Sequence, residues 1–221
     1  MNIKSRCKTK GMTAIMARAR KILVTGFAPF GGQRINPSWV CVSMLPEQME
    51  GCDIIQSELP VVWFEAVDAL YTLIETHRPD AVLCVGQAGG ASKLNIERVG
   101  VNLCNGTDND GTALVDAPIF AGAPTAYFSS IPYAAMHAAV EAAGIGVQHS
   151  FSAGTYLCNH VLYSALHRAA IKAAGMKAGF LHVPMLPEQV LDTGGYSMPL
   201  DRMSKGVELC VREICKDAVA R

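Results

Sequence analysis

Short, β-branched apolar segments that end in glycine or proline recur along this sequence, and helical patterns lie between them. The clearest are residues 21–27, 80–86 and 179–184, which are too short for helices and almost continuously apolar. Such segments are typical of strands buried on both faces of a parallel sheet. Further strands are predicted at 52–62, 147–152 and, from a weaker pattern, 98–103.

Helical periodicity separates these strands. Helices are predicted at 37–45, 64–77, 133–143, 155–174 and 204–220, and a long loop rich in Gly, Pro, Asp and Asn at 104–132. Asn36 and Pro37 supply an N-cap and a first-turn proline for the first helix. Alternating strands and helices predict βαβ units. The expected fold class is therefore α/β, a single-domain α/β/α sandwich with a mostly parallel sheet.

Charge is distributed unevenly. Residues 1–21 carry seven basic and no acidic residues, which leaves 12 basic against 19 acidic residues in the rest of the chain. An acidic body predicts no nucleic-acid binding, because phosphate contacts need basic side chains. We predict a flexible basic extension at 1–20 and the α/β domain at 21–221. Two alternatives exist for these basic residues. Translation could begin further along, at Met12 or Met16, or the segment could be an organelle presequence.

Composition limits the partners and the compartment. Charged residues make up 17% of the chain, against about 25% in an average soluble domain, so we expect part of the surface to be buried against another subunit. No apolar run is long enough for a membrane span. The eight cysteines form neither a Cys-x-x-Cys pair nor a zinc-site spacing, and no secretory pattern is present. The expectation is a cytoplasmic protein whose cysteines are free thiols and hold no zinc.

The best local candidate for chemistry is Cys158. It follows the strand predicted at 147–152 and lies in the first turn of the next predicted helix. The free N–H groups and the positive end of a helix favour a thiolate there, and the thiolate is the reactive form of cysteine. The alternative is a small buried core residue, as expected for the other seven cysteines.

His182 is the candidate partner of Cys158. One helix and one turn separate the two residues, and His182 lies near the end of the following strand, so a βαβ unit would bring both to one edge of the sheet. A backbone-bonded core histidine is the alternative. Glu97 could orient the imidazole as the third member of a triad, although the residues alone favour a solvated Glu–Arg segment. His160 is a poorer partner, because residues i and i+2 face apart on a helix.

Two glycine-rich loops follow predicted strands, at 26–32 and 86–90. Either could hold an anion, but neither has the spacing of a P-loop or of a dinucleotide-binding loop. The first loop is aromatic, which suits a flat uncharged ligand better than a phosphate. Neither Gly-x-Ser-x-Gly nor His-Glu-x-x-His occurs, which argues against serine esterases and zinc peptidases.

Several motifs, in order, resemble those of the pyroglutamyl peptidase I family, the cysteine peptidases that remove N-terminal pyroglutamate. They are found at 23–32 with 36–39, 59–61, 85–90, 97–99 with Asn102, 152–159, and 182–184 with 186–189. The resemblance implies an α/β/α sandwich of the phosphorylase/hydrolase type, often a homotetramer, that acts on N-terminally pyroglutamylated peptides without metal or cofactor.

The resemblance also implies site residues. A catalytic Cys–His–Glu triad maps onto Cys158, His182 and Glu97. The two phenylalanines of the first loop would wall the lactam pocket, the glutamine of the second loop would contact the ring amide, and an aromatic residue before the nucleophile would line the pocket. These substrate-binding residues are Phe27, Phe30, Gln87 and Tyr156.

One segment departs from the family pattern. Residues 102–111 are about two residues shorter than usual and lack an arginine found in relatives. Two other functions therefore stay open from the sequence. One is a cysteine amidase of different specificity on the same scaffold, and the other is a non-catalytic protein that binds phosphate or nucleoside.

Overall fold

Seven strands form the central sheet of the computed structural model, which describes residues 18–172, 175–192 and 194–221. Their spatial order is β10 (Val147–Ser150), β5 (Leu94–Glu97), β11 (Lys177–Val183), β4 (Ala81–Gln87), β1 (Arg20–Phe27), β3 (Cys52–Leu59) and β2 (Gln48–Met49). Four neighbouring pairs are parallel, and the pairs β11–β5 and β2–β3 are antiparallel. The predicted mostly parallel α/β fold is confirmed.

Helices cover both faces of the sheet, each over its own core. The helices are α1 (Pro37–Ser43), α2 (Glu65–His77), α3 (Tyr133–Ala142), α4 (Leu157–Ile171) and α5 (Leu200–Ala220). One core joins the sheet to α1, α3 and α5, and the other joins it to α2 and α4. In the described residues, no helix is both long and apolar enough to cross a membrane.

The two-residue period of the strands decides which side chains meet α4. On β11, Phe180 packs into the α4 core and Leu181 into the other, so His182 returns to the α4 face. The same alternation puts Gly86 of β4 and Glu97 of β5 on that face. Three strands thus direct His182, Gly86 and Glu97 toward one helix.

Local chemistry sets several element ends. The side chain of Asn36 accepts the N–H of Ser38, which confirms the predicted N-cap of α1. That helix ends at Ser43, before the predicted 45. β3 ends at Leu59, short of the predicted 62, because Pro60 has no N–H for a ladder hydrogen bond. α5 begins at Leu200, four residues earlier than predicted.

Two of the sequence predictions are wrong between 94 and 132. Of the predicted strand 98–103 only β6 (Val99–Val101) forms, and it pairs with β9 (Ala126–Phe128) in a separate ribbon, whereas the strand that joins the main sheet here, β5, ends before Arg98 and was not predicted. The predicted loop 104–132 contains β9 and the hairpin of β7 (Cys104–Thr107) and β8 (Ala113–Ala117). These strands are short and mostly exposed, so they lack the apolar signal of a buried strand.

The argument that joined Cys158 to His182 through a βαβ unit is also wrong. β10 is parallel to β5 and β5 is antiparallel to β11, so β10 and β11 run in opposite directions. Residues 151–156 carry the chain back to the edge where β11 ends. α4 begins at Leu157, later than the predicted 155. Its predicted end at 174, and residues 1–17 of the predicted extension, lie outside the described residues.

Candidate active site

A cavity of ≈ 380 Å³ lies at the edge where β1, β4 and β11 end. Its wall contains all seven residues singled out from the sequence: Cys158, His182, Glu97, Phe27, Phe30, Gln87 and Tyr156. The carboxyl ends of parallel strands are the usual place for a site in such sheets. The sequence did not indicate that Val61 and Asn95 also line the cavity.

Cys158 lies at the second position of α4 and is only half-buried. The first helical hydrogen bond of α4 runs from the His160 N–H to the Tyr156 carbonyl, so the preceding N–H groups have no helical acceptor. Gly86 makes room for the thiol, since a Cβ there would lie 3.0 Å from the Cys158 sulfur. A side chain on this strand position would therefore displace the sulfur.

His182 and Glu97 form a buried pair beside this thiol. The His182 Nδ1 lies 2.8 Å from the Glu97 Oε1, and Glu97 is 1% exposed. The pair uses Nδ1, which leaves Nε2 as the ring nitrogen that can interact with Cys158. Burial lowers the pKa of His182, but the charge of Cys158 and the hydrogen bonds to Cys158 and Glu97 outweigh it and raise this pKa to about 10. His182 is therefore held as an imidazolium beside Cys158 at neutral pH.

The first loop is held by hydrogen bonds that continue from the N-cap of α1. The hydroxyl of Ser38 donates to the Asn36 Oδ1 at 2.8 Å and accepts the Phe27 N–H at 3.0 Å, while the Asn36 amide donates to the Ala28 carbonyl. A Cβ at Gly26 would lie 2.5 Å from the Trp39 Cα, so the helix backbone packs directly on the strand. These contacts fix Phe27 and, with it, the apolar wall.

Gln189 determines which atom Gln87 presents to the cavity. The Leu186 N–H can only donate, so the Gln189 atom 2.8 Å from it is the oxygen. The Gln189 amide then donates to the Gln87 Oε1 at 3.1 Å. The Gln87 NH₂ group is left to face the cavity as a donor. Gln189 belongs to a motif noted in the sequence, but its distance from Gln87 along the chain hid this role.

Tyr156 is packed between the β7–β8 hairpin and Trp63. Its ring lies edge-on to Trp63 with centroids 5.1 Å apart, and a Cβ at Gly106 would come within 2.7 Å of it. Asp108, at the hairpin turn, accepts the N–H groups of Trp63 and Thr112, both at 2.8 Å. The short segment at 102–111 therefore supports the pocket from behind, by packing against Tyr156, which lines the cavity.

Asn159, next to the nucleophile candidate, is fully buried and ties α4 to β6. Its amide oxygen accepts the Val101 N–H, and its NH₂ group donates to the carbonyls of Val101 and Leu103, all at 2.9 Å. The side chain thus hydrogen-bonds to β6 as a neighbouring strand would. It fixes the first turn of α4 against the strand that follows Glu97.

The remaining histidines of the described residues lie away from this pair. His160 is buried between Trp63 and Phe64, and burial lowers its pKa to about 4. His167 stacks on Phe120, and His137 stacks on His149. Within the described ranges, no group of three or more His, Cys, Asp or Glu side chains is arranged to hold a metal ion.

Alkylation should distinguish Cys158 from the other described cysteines. Burial raises the pKa of Cys41, Cys84 and Cys210 to about 12, whereas Cys158 is half-buried beside an imidazolium. Substoichiometric iodoacetamide at pH 7 should label Cys158 first among the seven, as read by peptide mass mapping. The His182→Ala variant should label more slowly. Earlier labelling of a buried cysteine would contradict the arrangement.

Comparison with known proteins agrees with the geometry. The sequence model of the pyroglutamyl peptidase family matches residues 20–217. The pyrrolidone-carboxylate peptidase of Thermococcus kodakarensis is 45% identical over 199 residues, which cover 89% of this chain and 97% of the relative. The corresponding protein of Alkaliphilus oremlandii is 42% identical over 86% of this chain and 91% of its own length.

Solved structures give the same result. Pyroglutamyl peptidase I of Bacillus amyloliquefaciens superposes with a TM-score of 0.87 at 32% identity, covering 90% of this chain and 98% of that one. A mutant pyrrolidone carboxyl peptidase of Pyrococcus furiosus gives 0.86 at 36% identity, covering 89% and 99%. The fold and the comparisons define this chain as a peptidase with a central α/β sheet. The chain belongs to the pyroglutamyl peptidase family.

Proposed function

We propose that this chain is a cysteine peptidase that hydrolyses the bond after an N-terminal pyroglutamate and releases 5-oxoproline. Cys158 is the nucleophile, His182 the general base and acid, and Glu97 the residue that orients the imidazole. The observation that carries the proposal is the 2.8 Å His182–Glu97 pair beside a half-buried thiol in a largely apolar cavity. Membership of the family supports the same reaction.

The reaction would begin with attack of the Cys158 sulfur on the carbonyl carbon that links pyroglutamate to the next residue. The oxyanion would be bound by the free N–H groups at the start of α4, including that of Cys158. Each such donor is worth about 10²–10³ in rate. His182 then gives its proton to the leaving amine as the carbon–nitrogen bond breaks. Water, deprotonated by His182, hydrolyses the thioester and frees Cys158.

The pocket is suited to a lactam. Phe27, Phe30 and Val61 provide apolar walls, and the Gln87 NH₂ group provides a hydrogen-bond donor for the ring carbonyl. An N-terminal glutamate or glutamine carries a charged amine. Burying that charge without a partner costs several kcal/mol, roughly enough to exclude such peptides.

The direct test is fluorophore release from pyroglutamyl-aminomethylcoumarin by reduced, purified protein. Release of aminomethylcoumarin, with none from the matching glutamyl and glutaminyl compounds, is the expected result. Absence of release by folded protein would overturn the proposal, and other acyl amides would then be tried as substrates.

Gln189→Glu should weaken substrate binding more than chemistry. A carboxylate cannot donate at neutral pH, so Gln87 would rotate and direct its oxygen, not its NH₂ group, at the ring carbonyl. Loss of one buried hydrogen bond costs about 1–3 kcal/mol, which predicts a KM roughly 5–150-fold higher with a smaller change in kcat. Steady-state kinetics measure this. Gln33→Ala, which removes only a 3.5 Å contact to Gln189, is the matched control. A drop in kcat at unchanged KM would refute the role.

We propose further that the enzyme acts as a cytoplasmic homo-oligomer, a dimer or tetramer. Exposed apolar side chains, among them Phe128 at 72% and Leu191 at 78% exposure, support burial against another copy. The seven described cysteines are all free thiols, which supports a reducing compartment. Light scattering of the purified chain tests the assembly, and a single-chain mass would exclude it.

A further inference from the structure

A second cavity lies at the sheet edge opposite the candidate active site. Its volume is ≈ 770 Å³. Here β1, β4 and β11 begin, and α2, α4 and α5 end. No residue of this cavity also lines the candidate active site.

The wall of this cavity is strongly basic. It contains six cationic side chains and two carboxylates: Arg18, Arg20, Arg78, Arg168, Lys172 and Arg221, with Glu75 and Asp80. Both carboxylates are already engaged. Asp80 accepts from Arg20 at 2.7 Å and from the Lys21 N–H at 2.9 Å, and Glu75 pairs with Arg168.

Three of the cations, Arg18, Arg78 and Lys172, have no carboxylate partner among the described residues. Arg18 donates instead to the Arg78 carbonyl, whereas Arg221 pairs with Asp217. The stretches outside the description contain no Asp or Glu, so no further side-chain carboxylate is available. Residues 1–17 contain four basic residues and no acidic one. The excess of positive charge is therefore not neutralised by the chain itself.

Arg78 also has a backbone that arginine adopts at a cost. It ends α2 in the left-handed region, at φ 48° and ψ 61°. Glycine, or less often asparagine, is the usual residue at such a helix end, because a Cβ is strained there. The negative end of α2 attracts a cation, but that alone does not require a strained position. Strain that persists at a cavity wall points to a function of the side chain.

We propose that this cavity binds a compact anion that carries several phosphate groups. One guanidinium group can donate two parallel hydrogen bonds to two oxygens of a phosphate, so the convergent arginines suit such a ligand. The volume is within the range of small-molecule sites and exceeds what a single phosphate needs. None of the described residues that line the cavity is aromatic, so these residues offer no platform on which a nucleobase could stack. Recognition is of the phosphate chain, whether free or part of a nucleotide.

Thermal unfolding of the full chain with sodium tripolyphosphate at low ionic strength tests the proposal. Tripolyphosphate should raise Tm saturably, because a ligand of the folded state stabilises it. Arg78→Gly and Lys172→Ala should each move the midpoint of this titration at least tenfold higher. Lys216→Ala, which removes a cation on α5 outside the cavity, should leave the midpoint within twofold. Peptidase activity should be unchanged in all three variants.

The Arg78→Gly variant separates ligand binding from a structural role. Glycine relieves the left-handed backbone, so Tm without ligand should stay the same or rise while the midpoint for tripolyphosphate moves at least tenfold higher. Three outcomes would overturn the proposal. These are an equal rise of Tm with sulfate at matched ionic strength, an unchanged midpoint in Arg78→Gly, and a response to ATP and adenosine without one to tripolyphosphate. Similar midpoints for tripolyphosphate and ATP would support recognition of phosphate alone.

Discussion

Cys158→Ala should reduce the release of aminomethylcoumarin from pyroglutamyl-aminomethylcoumarin by at least about 10⁴-fold, because no other group can form the thioester. The fold should persist. Cys158 is half-buried in the first turn of α4, and losing its sulfur costs roughly 1 kcal/mol, or about 2–4 °C in Tm for a chain of this size. Circular dichroism and the fluorescence assay measure the two effects on the same sample.

A second cysteine provides the matched control for this experiment. Cys210 is fully buried on α5, in the core of the opposite face. Cys210→Ala should lower Tm at least as much as Cys158→Ala, yet keep turnover within a fewfold of wild type. Turnover by folded Cys158→Ala above about 1% of wild type would refute the nucleophile, since loss of an essential nucleophile leaves far less.

His182→Ala should be the second most damaging substitution, with kcat/KM lower by at least about 10³-fold. It removes both the proton acceptor and the proton donor, and such catalysis is worth about 10²–10⁴. Glu97→Gln should cost less, by a factor of roughly 10², because an orienting group acts only through the imidazole. His160→Ala, two residues from Cys158, should lower stability but leave kcat/KM unchanged. A larger loss in Glu97→Gln than in His182→Ala would reverse the assigned roles.

The pH profile gives a readout that a purely structural Glu97 would not move. The pKa of His182 is raised to about 10, partly by the hydrogen bond and charge of Glu97. In Glu97→Gln the alkaline limb of kcat/KM should therefore shift to lower pH. Linkage gives a matching effect on stability. The folded pKa lies above the unfolded value of about 6.5, so this stabilisation is complete below about 6.5 and is lost as pH rises through about 10. An alkaline limb at the same pH in both proteins would contradict the coupling.

Much of the central sheet follows from the sequence, because β1, β4 and β11 are buried on both faces and read as continuous apolar segments. The Cys158–His182 pairing also follows, although for a reason that the structure corrects. The sequence analysis placed Cys158 and His182 at one sheet edge by assuming that β10 and β11 are parallel. In the structure these strands run in opposite directions, and residues 151–156 return the chain to the edge where β11 ends. Strand direction depends on which neighbours pair, and the apolar pattern of a single strand contains no such information.

Long-range polar contacts were the least predictable part of the site. Gln189 orients Gln87 across 102 positions, and Asn109 of the hairpin turn donates to the Pro29 carbonyl across 80. Neither residue carries a local signal, because amide side chains are common in exposed turns. The second cavity was unpredictable for the same reason. Its arginines come from the start of β1, the end of α2, and the ends of α4 and α5, which are far apart in the sequence and meet only in the folded sheet.

The Asn159 contacts have a consequence for how this enzyme can diverge from its relatives. They fix the first turn of α4 on Val101 and Leu103, at the very start of the segment 102–111 whose length differs from the family pattern. The hairpin beyond this point holds the pocket wall instead, with the Asn109 N–H on the Val61 carbonyl. Insertions and deletions after Leu103 can therefore change substrate preference during evolution without moving the proposed catalytic residues.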